Sequence, residues 1–431
     1  MSTEVKQKVH VITMGCAKNV VDSEKLMAQL QLSNIEITPT IEDADVAVIN
    51  TCGFIEAAKE ESIDMIIQNV KRKSKGKLKK VYAMGCLTER YQVDLAQEIP
   101  EVDRFFGSNQ LKHVVEELGA NYKYELLGER LLTTPSHFAY LKISEGCDNP
   151  CSFCAIPIMR GKHVSRPMDE IMAETQLLAS RGVKELVVIG QDTTYYGFDL
   201  YGGRTLAGLL DRLASVEGIE WLRLMYAYPA KFPLEVLDVI ARHPHICKYM
   251  DMPVQHVADP VLRSMRRGIS QRALRELIEM IRDRVPGIAL RTTVIVGYPN
   301  ETEREFEELL SFVHEARFDR LGVFTYSRED GTTADPLLDP VTAEEKERRK
   351  ALVMEVQQEI SAAHNEHLLH TRQRVIVDRM EGDQYVGRTE RDAPEIDNEV
   401  FFSADRHVGV GSFVDVDIAD TSEYDLYGCL C

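Results

Sequence analysis

The sequence lacks any apolar run that approaches the length of a membrane-spanning helix. Its first eight residues are polar and contain no apolar region of the kind that marks a secretory signal peptide. Both absences argue against a membrane-bound or secreted protein, so we expect a cytoplasmic one. At 431 residues, the chain is long enough for two or three domains with a sizeable core.

Positive charge is also scarce. The chain has 51 Lys and Arg against 69 Asp and Glu, a net charge of −18. Residues 371–431 contain fourteen acidic residues, six Arg and no Lys, a net charge of −8. Such a surface repels RNA at long range and attracts a basic protein. A basic run at residues 71–80 is the exception, and we interpret it as a solvated loop, with steering to ribosomal RNA as the alternative.

Cysteine is present nine times, which in a cytoplasmic protein favours metal ligands or reactive thiols over disulfides. Cys147, Cys151 and Cys154 lie on one short stretch after an apolar strand pattern at residues 138–143. Three thiolates at this spacing can hold three irons of a cubane cluster and leave the fourth open for a ligand. A zinc loop is the alternative, but structural zinc normally needs four ligands, and no matching second pair lies nearby.

Three further cysteines share one setting in the first domain. Apolar strand patterns at residues 9–13, 45–50 and 81–84 each stop at a cysteine beside a glycine, and these cysteines are Cys16, Cys52 and Cys86. Helical patterns separate the strands, which predicts a parallel sheet whose carboxyl ends share one edge. The three thiols would then converge on a second iron–sulfur cluster, with the glycines allowing a bulky ligand to approach. Separate buried cysteines that fill strand ends are the alternative.

Six strand patterns organise the central region and alternate with helical ones, at residues 138–143, 185–190, 221–228, 249–254, 290–296 and 321–326. Six parallel strands are fewer than the eight of a closed barrel, so we predict a partial barrel with an open side. Gln191 and Asp192 follow one strand, and Gln255 and His256 follow another. Each pair either contacts a ligand or simply ends its strand.

The cysteine spacing, with the aromatic Phe153 just before the last cysteine, resembles that of the radical S-adenosylmethionine (SAM) enzymes. The segment at residues 293–301, TVIVGYPNE, resembles the stretch that packs near the adenine in those enzymes. The three-cysteine domain ahead of it narrows the resemblance to the methylthiotransferase branch. Residues 15–24 and 392–397 are similar to members of that branch that modify a ribosomal protein.

This resemblance implies two [4Fe-4S] clusters and SAM as cofactors. One cluster would be held by Cys16, Cys52 and Cys86, and the other by Cys147, Cys151 and Cys154. It also implies that one SAM gives the methyl group and another gives a 5′-deoxyadenosyl radical, while the protein positions the cofactors. The candidate SAM contacts are Phe153, Gln191, Asp192, Ile295 and Gly297. We assign no catalytic residue beyond the cluster ligands.

The C-terminal region changes character. A helical connector is predicted at residues 341–370, followed by short alternating strands at residues 374–378, 384–388, 399–403 and 412–419. This pattern suits a small antiparallel barrel and resembles the TRAM module, which usually binds RNA. We expect Phe401, Phe402 and Phe413 in its core and the terminal Cys429 and Cys431 in a flexible tail. Cys247 is expected to serve packing, and none of these three cysteines is given a functional role.

The predicted organisation is thus an α/β protein with an N-terminal three-cysteine domain (1–120), a linker (121–135), a radical SAM core (136–370) and a TRAM-like barrel (371–431). The implied function is addition of a methylthio group to the β-carbon of an aspartate of small-subunit ribosomal protein twelve. The implied partners are that basic protein, free or in the ribosomal subunit, a reductant such as a flavodoxin, and a sulfur donor; RNA contact would be secondary. The alternatives are a tRNA adenosine methylthiotransferase and a non-catalytic iron–sulfur redox sensor or RNA-binding regulator.

Overall fold

The first domain is a parallel sheet with helices on both faces. A computed structural model describes residues 7–124 and 128–431. The sheet has the order β2-β1-β3-β4-β5, and every neighbouring pair is parallel. Its elements are β1 (Lys8–Thr13), α1 (Ala17–Gln31), β2 (Glu36–Ile37), β3 (Val46–Thr51), α2 (Glu56–Ser74), β4 (Lys80–Gly85), α3 (Cys86–Glu98), β5 (Arg104–Gly107) and α4 (Leu111–Glu117).

The central strand of this sheet, β3, is buried along its whole length, as expected for a parallel strand covered on both faces. The three strands predicted to end at cysteines are the adjacent β1, β3 and β4, so their carboxyl ends do share one edge. The basic run starts inside α2, whose last turn contains Lys71, Arg72 and Lys73. Cations suit that end of a helix dipole, and Arg72 and Lys73 also pair with acidic residues of the same domain.

The central domain contains six parallel strands in the order β6-β9-β10-β11-β12-β13, with β6 and β13 at the two edges. This confirms the predicted open, partial barrel. Its strands are β6 (Phe138–Lys142), β9 (Glu185–Ile189), β10 (Trp221–Leu224), β11 (Ile246–Asp251), β12 (Ala289–Val296) and β13 (Arg320–Thr325), and a separate small hairpin joins β7 (Ser144–Glu145) to β8 (Val164–Ser165). Cys247 lies buried within β11 rather than before it.

Helices cover the outer face of these strands, and aliphatic side chains from both form the largest core of the molecule. The helices of the central domain are α5 (Ile156–Arg160), α6 (Met168–Ser180), α7 (Phe198–Tyr201), α8 (Leu206–Leu213), α9 (Glu235–Arg242), α10 (Asp259–Ser264), α11 (Gln271–Arg284), α12 (Glu303–Ala316) and α13 (Ala343–Glu366). The last of these is the predicted connector, and it packs against β13 and α12. Across residues 7–124 and 128–431, the structure has no helix both long and apolar enough to cross a bilayer.

The C-terminal domain is a closed five-stranded barrel in the order β14-β15-β16-β18-β17. Its strands are β14 (Arg372–Glu381), β15 (Gln384–Arg388), β16 (Val400–Ser403), β17 (Phe413–Thr421) and β18 (Leu426–Leu430). Four of the five pairings are antiparallel, while β16 and β18 run parallel. The prediction of a flexible terminal tail was wrong, because β18 contains Cys429 and closes the barrel.

The predicted aromatic residues of the barrel have three different environments. Phe402 lies fully buried in the barrel core, as expected. Phe413 packs instead against Trp221 of the central sheet, with ring centroids 4.8 Å apart. Phe401 is only half-buried and stacks on Tyr427 at 5.7 Å, so the core prediction was wrong for this residue. The barrel therefore contributes aromatic side chains both to its own core and to its contact with the central domain.

The inner face of the partial barrel is covered by the other two domains. Phe138, Val187 and Trp221 on this face pack against Val21 of α1 and Ile376 of the C-terminal barrel. Near the amino ends of the strands, the inner face contacts the C-terminal barrel. The carboxyl ends of the strands, and the cysteine loop that follows β6 and β7, lie on the side of the first domain. This arrangement brings the two groups of cysteines to the same region.

Candidate active site

Three strand ends position the first cysteine group. Cys16 is the residue that caps the amino end of α1, Cys52 follows β3, and Cys86 is the first residue of α3. The strand register aligns Thr13 with Asn50. All three thiols therefore lie at the carboxyl edge of the sheet, as the sequence pattern predicted.

The adjacent glycines let these strand ends approach one another. Gly85 has φ +109°, and a Cβ on it would lie 2.6 Å from the carbonyl oxygen of Thr51. A Cβ on Gly15 would lie 2.9 Å from the sulfur of Cys52. We expected the glycines to make room for a bulky ligand. In the structure, the atoms that lie close to Gly15 and Gly85 belong instead to the end of the neighbouring strand.

Asn19 fixes this edge from the first turns of α1. Its amide nitrogen donates to the carbonyl oxygens of Met14 at 2.7 Å and Thr51 at 3.1 Å, which joins the ends of β1 and β3. Asn50 donates back to the carbonyl oxygen of Asn19 at 3.0 Å. The positions of Cys16 and Cys52 thus depend on one buried, fully hydrogen-bonded side chain.

The second cysteine group lies on the loop between β7 and α5, and the loop is held by backbone hydrogen bonds. Cys147 donates to Gly161 at 3.1 Å, and Cys154 donates to Cys151 at 3.2 Å. Ser152 donates to Met265 at 3.0 Å, which ties the loop to the end of α10. Burial raises the pKa of the Cys147 thiol to about 11 and that of Cys154 to about 12.

A short polar bridge connects the two cysteine groups. Arg160, at the end of α5, donates from Nε to the sulfur of Cys86 at 3.2 Å and from Nη1 to Asp22 of α1 at 2.6 Å. Cys86 also packs against Ala155, the residue after Cys154. One side of the first group is therefore in contact with the segment that carries the second.

Each cysteine group offers three thiols, the number that a cubane cluster with one open iron takes from a protein. Within the described parts of the chain, no three His, Cys, Asp or Glu side chains converge on a point that would hold one ion. The corners of a cubane are occupied by different irons, so its thiolate ligands need not converge on one point. A buried cation, Arg267, lies 3.3 Å from the sulfur of Cys151 and is suited to a negatively charged group at that place.

The candidate SAM contacts fall into two groups near the cysteine loop. Phe153 and Ile295 pack against the same buried cluster, which includes Tyr298 and Tyr326. Asp192 accepts a hydrogen bond from Asn149, inside the cysteine loop, at 2.8 Å.

Gln191 donates to Glu145 at 2.5 Å, but its side-chain carbonyl oxygen is buried and accepts no hydrogen bond from the described residues. Gln255 has the same kind of buried, unpaired carbonyl oxygen, in a residue with φ +72°. His256 is fully buried, and its Nδ1 accepts a hydrogen bond from the backbone amide of Ala258 at 3.0 Å, while its Nε2 lies 3.4 Å from the carboxylate of Glu301.

Gly297 differs from the other candidates. It has the positive φ of +73° that favours glycine, but a Cβ there would meet the side chain of Lys346 on α13. Its amide donates to Glu301 at 3.0 Å. The atoms packed closely against Gly297 therefore belong to α13, a helix of the same domain.

Family models match three consecutive regions of the chain. They are described as uncharacterized protein family UPF0004 at residues 8–107, the radical SAM superfamily at residues 141–313, and the TRAM domain at residues 371–430. These regions correspond to the parallel sheet, the partial barrel and the closed barrel. The predicted fold class is confirmed.

Curated relatives match almost the whole chain. The ribosomal protein uS12 methylthiotransferase RimO of Cytophaga hutchinsonii is 53% identical and covers 98% of both chains. RimO of Chloroherpeton thalassium is also 53% identical and covers 99% of both. The chain belongs to the RimO family. This confirms the prediction that the chain belongs to the methylthiotransferase branch, and within it to the members that modify a ribosomal protein.

Solved structures support the fold of this RimO family member at low sequence identity. The radical SAM methyltransferase TsrM of Kitasatospora setae with tryptophan and a SAM analogue bound has a TM-score of 0.59 and 12% identity, and the match covers 88% of this chain and 79% of TsrM. A second TsrM structure, with cobalamin and a [4Fe-4S] cluster bound, has a TM-score of 0.57 and 13% identity and covers 77% of each chain.

Sequence reasoning missed three functional candidates in this RimO family member: Arg160, Arg267 and Tyr228. The hydroxyl of Tyr228 lies 3.6 Å from the sulfur of Cys151, and its ring lies 4.3 Å from the guanidinium of Arg267. Arg160 follows the cysteine loop closely, yet its partner Cys86 is 74 residues away in the sequence. No local pattern indicates such contacts, because they depend on how distant elements pack, within the central domain for Arg267 and Tyr228 and between domains for Arg160.

Proposed function

We propose that the chain is a radical SAM methylthiotransferase that adds a methylthio group to the β-carbon of an aspartate of ribosomal protein uS12. The observation that carries this proposal is the contact of Cys86, in the first three-cysteine group, with Ala155 and Arg160 just after the second group, in a chain 53% identical over its length to RimO proteins. The domains are 1–120, 136–370 and 371–431, joined by the segment 121–135.

Cys16, Cys52 and Cys86 hold one [4Fe-4S] cluster, and Cys147, Cys151 and Cys154 hold the other. When bound, the clusters and SAM supply a radical that removes hydrogen from an unactivated carbon and a sulfur that replaces it. The chain contributes thiolates, fixed strand ends and a loop held by hydrogen bonds. The bridge at Arg160 keeps the two sites adjacent, which such a transfer requires.

The SAM side of the site is formed by Phe153, Gln191, Asp192 and Ile295, with Gly297 shaping the turn behind it. The unpaired carbonyl oxygens of Gln191 and Gln255 would each accept a hydrogen bond from an amino or hydroxyl group of SAM. A buried acceptor without a partner is costly, so a ligand donor at these positions is favourable. Phe153 would present its ring to the apolar part of the ligand.

The solvent-facing charge of the C-terminal barrel favours a protein substrate over tRNA. Six of its acidic residues are exposed against three exposed arginines, Arg372, Arg374 and Arg406. Arg372 and Arg374 are paired with Asp417 and Glu220, which leaves few cations for a phosphate backbone. A basic ribosomal protein is attracted by such a surface.

The reaction also needs a reductant such as a flavodoxin and a sulfur donor, and we place the protein in the cytoplasm.

The test is anaerobic incubation of the reconstituted chain with SAM, a reductant and either uS12 or tRNA, followed by mass spectrometry. We expect one methylthio group on uS12 and none on tRNA. The Cys151→Ala variant should abolish the modification, while Cys431→Ser, which changes an exposed cysteine without an assigned role, should retain it. Modified tRNA with unmodified uS12 would support the tRNA alternative instead.

A further inference from the structure

Each cysteine group has one sulfur that accepts a hydrogen bond from a buried arginine. Arg160 donates to Cys86 at 3.2 Å, and Arg267 donates to Cys151 at 3.3 Å. Both arginines are almost fully buried, with 3% and 4% of their surface exposed. The two contacts come from different elements, since Arg160 ends α5 and Arg267 follows α10.

The two guanidinium groups differ in how their charge is balanced. Arg160 forms ion pairs with Asp22 at 2.6 Å and Glu145 at 3.4 Å. Lys142 contacts the same two carboxylates, so this network holds two cations and two anions. Its charges are balanced even before a cluster is considered.

No carboxylate of the described residues forms an ion pair with Arg267. Its neighbours are the Tyr228 ring, the carbonyl oxygen of Pro253 at 2.5 Å and the sulfur of Cys151. Its Nε is buried and donates to no acceptor in the described part of the chain. Burying a cation without a counter-charge is costly, and thiolates on a cluster would supply that charge.

We propose that Arg160 and Arg267 each raise the reduction potential of the cluster whose sulfur they contact, Arg160 at the N-terminal site and Arg267 at the radical SAM site. Reduction adds one negative charge to a cluster, and a cationic donor on a thiolate stabilises the reduced form more than the oxidised one. The proposal deepens the proposed function and rests on it, because it requires both clusters. Both arginines act through a ligand and are positioning residues.

The two sites differ in how far carboxylates offset the charge of the arginine, so the two arginines should change the reduction potentials by different amounts. Asp22 and Glu145 offset the charge of Arg160, whereas no carboxylate in the described part of the chain pairs with Arg267. Arg267 therefore raises the potential of its cluster by more.

The test is a redox titration of the reconstituted full-length chain, followed by electron paramagnetic resonance. The potential of each cluster is measured in a chain that lacks the other cluster. Arg160→Gln is made in a chain with Cys147, Cys151 and Cys154 changed to Ala. Arg267→Gln is made in a chain with Cys16, Cys52 and Cys86 changed to Ala. We expect Arg267→Gln to lower the ratio of reduced to oxidised cluster at a fixed potential about tenfold, which is about 59 mV for one electron. Arg160→Gln should lower it by less.

Two controls separate tuning from general charge and from structure. Arg272→Gln removes an exposed arginine that pairs with Glu276 and should shift neither potential. Arg160→Lys keeps the positive charge at this position. The double variant Arg160→Gln, Asp22→Asn removes both partners of one ion pair at the same time. Unchanged potentials in Arg160→Gln and Arg267→Gln with normal iron and sulfide content would overturn the proposal but leave the proposed function intact.

Loss of the N-terminal cluster from all three Arg160 variants, when the same chain with native Arg160 assembles it, would also overturn the proposal for Arg160, because its role would then be structural. Absence of either cluster from the chain with its native cysteines would instead contradict the proposed function. Iron and sulfide analysis before each titration distinguishes these cases.

Discussion

At the scale of single residues, the site depends on side chains that are not themselves ligands. Asn19 joins two strand ends and also contacts Arg160, so it connects the first cysteine group to the bridge between the groups. Removing its side chain would take a donor from two buried backbone carbonyl groups, those of Met14 and Thr51, and an acceptor from Arg160. The position of the thiols is therefore as sensitive to Asn19 as to the strands themselves.

We predict that Asn19→Ala loses the N-terminal cluster and retains the other. Each buried group left unpaired costs about 1–3 kcal/mol, enough to disorder the strand ends. Iron content after anaerobic reconstitution should fall by half. Asn121→Ala, at an exposed position, is the control and should keep both clusters. Full iron content in Asn19→Ala would show that the cysteines are positioned without it.

We predict that Gly85→Ala is far more damaging than Gly76→Ala. Both glycines have positive φ, at +109° and +72°, which costs another residue about 1–3 kcal/mol. A Cβ at Gly76 meets nothing within 4 Å, whereas one at Gly85 lies 2.6 Å from Thr51 and displaces the start of α3. Iron content should fall only in Gly85→Ala, and equal effects would contradict the role of strand-end contact.

The six cysteines and their grouping could be predicted from local sequence, because each lies next to a strand or within one loop. The arginines at their sulfurs could not. Arg160 contacts Cys86 across a domain boundary, and Arg267 reaches Cys151 from 116 residues away. Periodicity and spacing describe neighbours along the chain, while these contacts arise only when separate elements pack.

At the scale of elements, the strands with long apolar patterns were predictable and the short ones were not. The edge strands β2 and β5 have two and four residues and were not predicted, whereas the four-residue strands β10 and β16 lie within the longer predicted stretches 221–228 and 399–403. The last strand, β18, alternates buried Leu426 with exposed Tyr427 but follows a polar turn and ends the chain. Its strand character comes from pairing with β16 on one side and β17 on the other.

Because β18 closes the barrel, we predict that deleting residues 426–431 opens it. The deletion leaves β16 and β17 with unpaired edges and removes Leu426 from the barrel core. Limited proteolysis should then cut within residues 371–425. Deleting Cys431 alone, an exposed residue beyond the strand, should leave the cleavage pattern unchanged. A protease-resistant barrel in the longer deletion would contradict this prediction.

At the scale of the whole molecule, part of the acidity of the C-terminal region serves to attach the barrel. Asp392 pairs with Arg320, and Asp397 pairs with Arg291 at 3.2 Å. Arg388 of the barrel donates to Glu185 of the central sheet at 2.8 Å, and Arg223 donates to the same carboxylate at 2.8 Å. Net charge read from the sequence cannot separate these internal acids from the exposed ones.

We predict that Glu185→Ala loosens the barrel from the central sheet. Removing one member of a buried charge network costs about 3–5 kcal/mol, because Arg223 would remain buried without its carboxylate partner and Arg388 would keep only Asp378. The chain has a single tryptophan, Trp221, and it packs on Phe413 of the barrel, so its fluorescence reports on this contact.

Thermal unfolding followed by that fluorescence should shift to lower temperature in Glu185→Ala. The control is Asp417→Ala, which breaks the exposed pair with Arg372 and should cost about 1 kcal/mol or less. Equal shifts in the two variants would mean that the buried network contributes no more than a surface ion pair.

Iron anomalous diffraction from anaerobic crystals of the reconstituted chain tests the central claim most directly. The account predicts two separate iron clusters, one on Cys16, Cys52 and Cys86 and one on Cys147, Cys151 and Cys154, with Arg160 between them. A single cluster, or a lone metal ion with a complete set of protein ligands at either group, would contradict it.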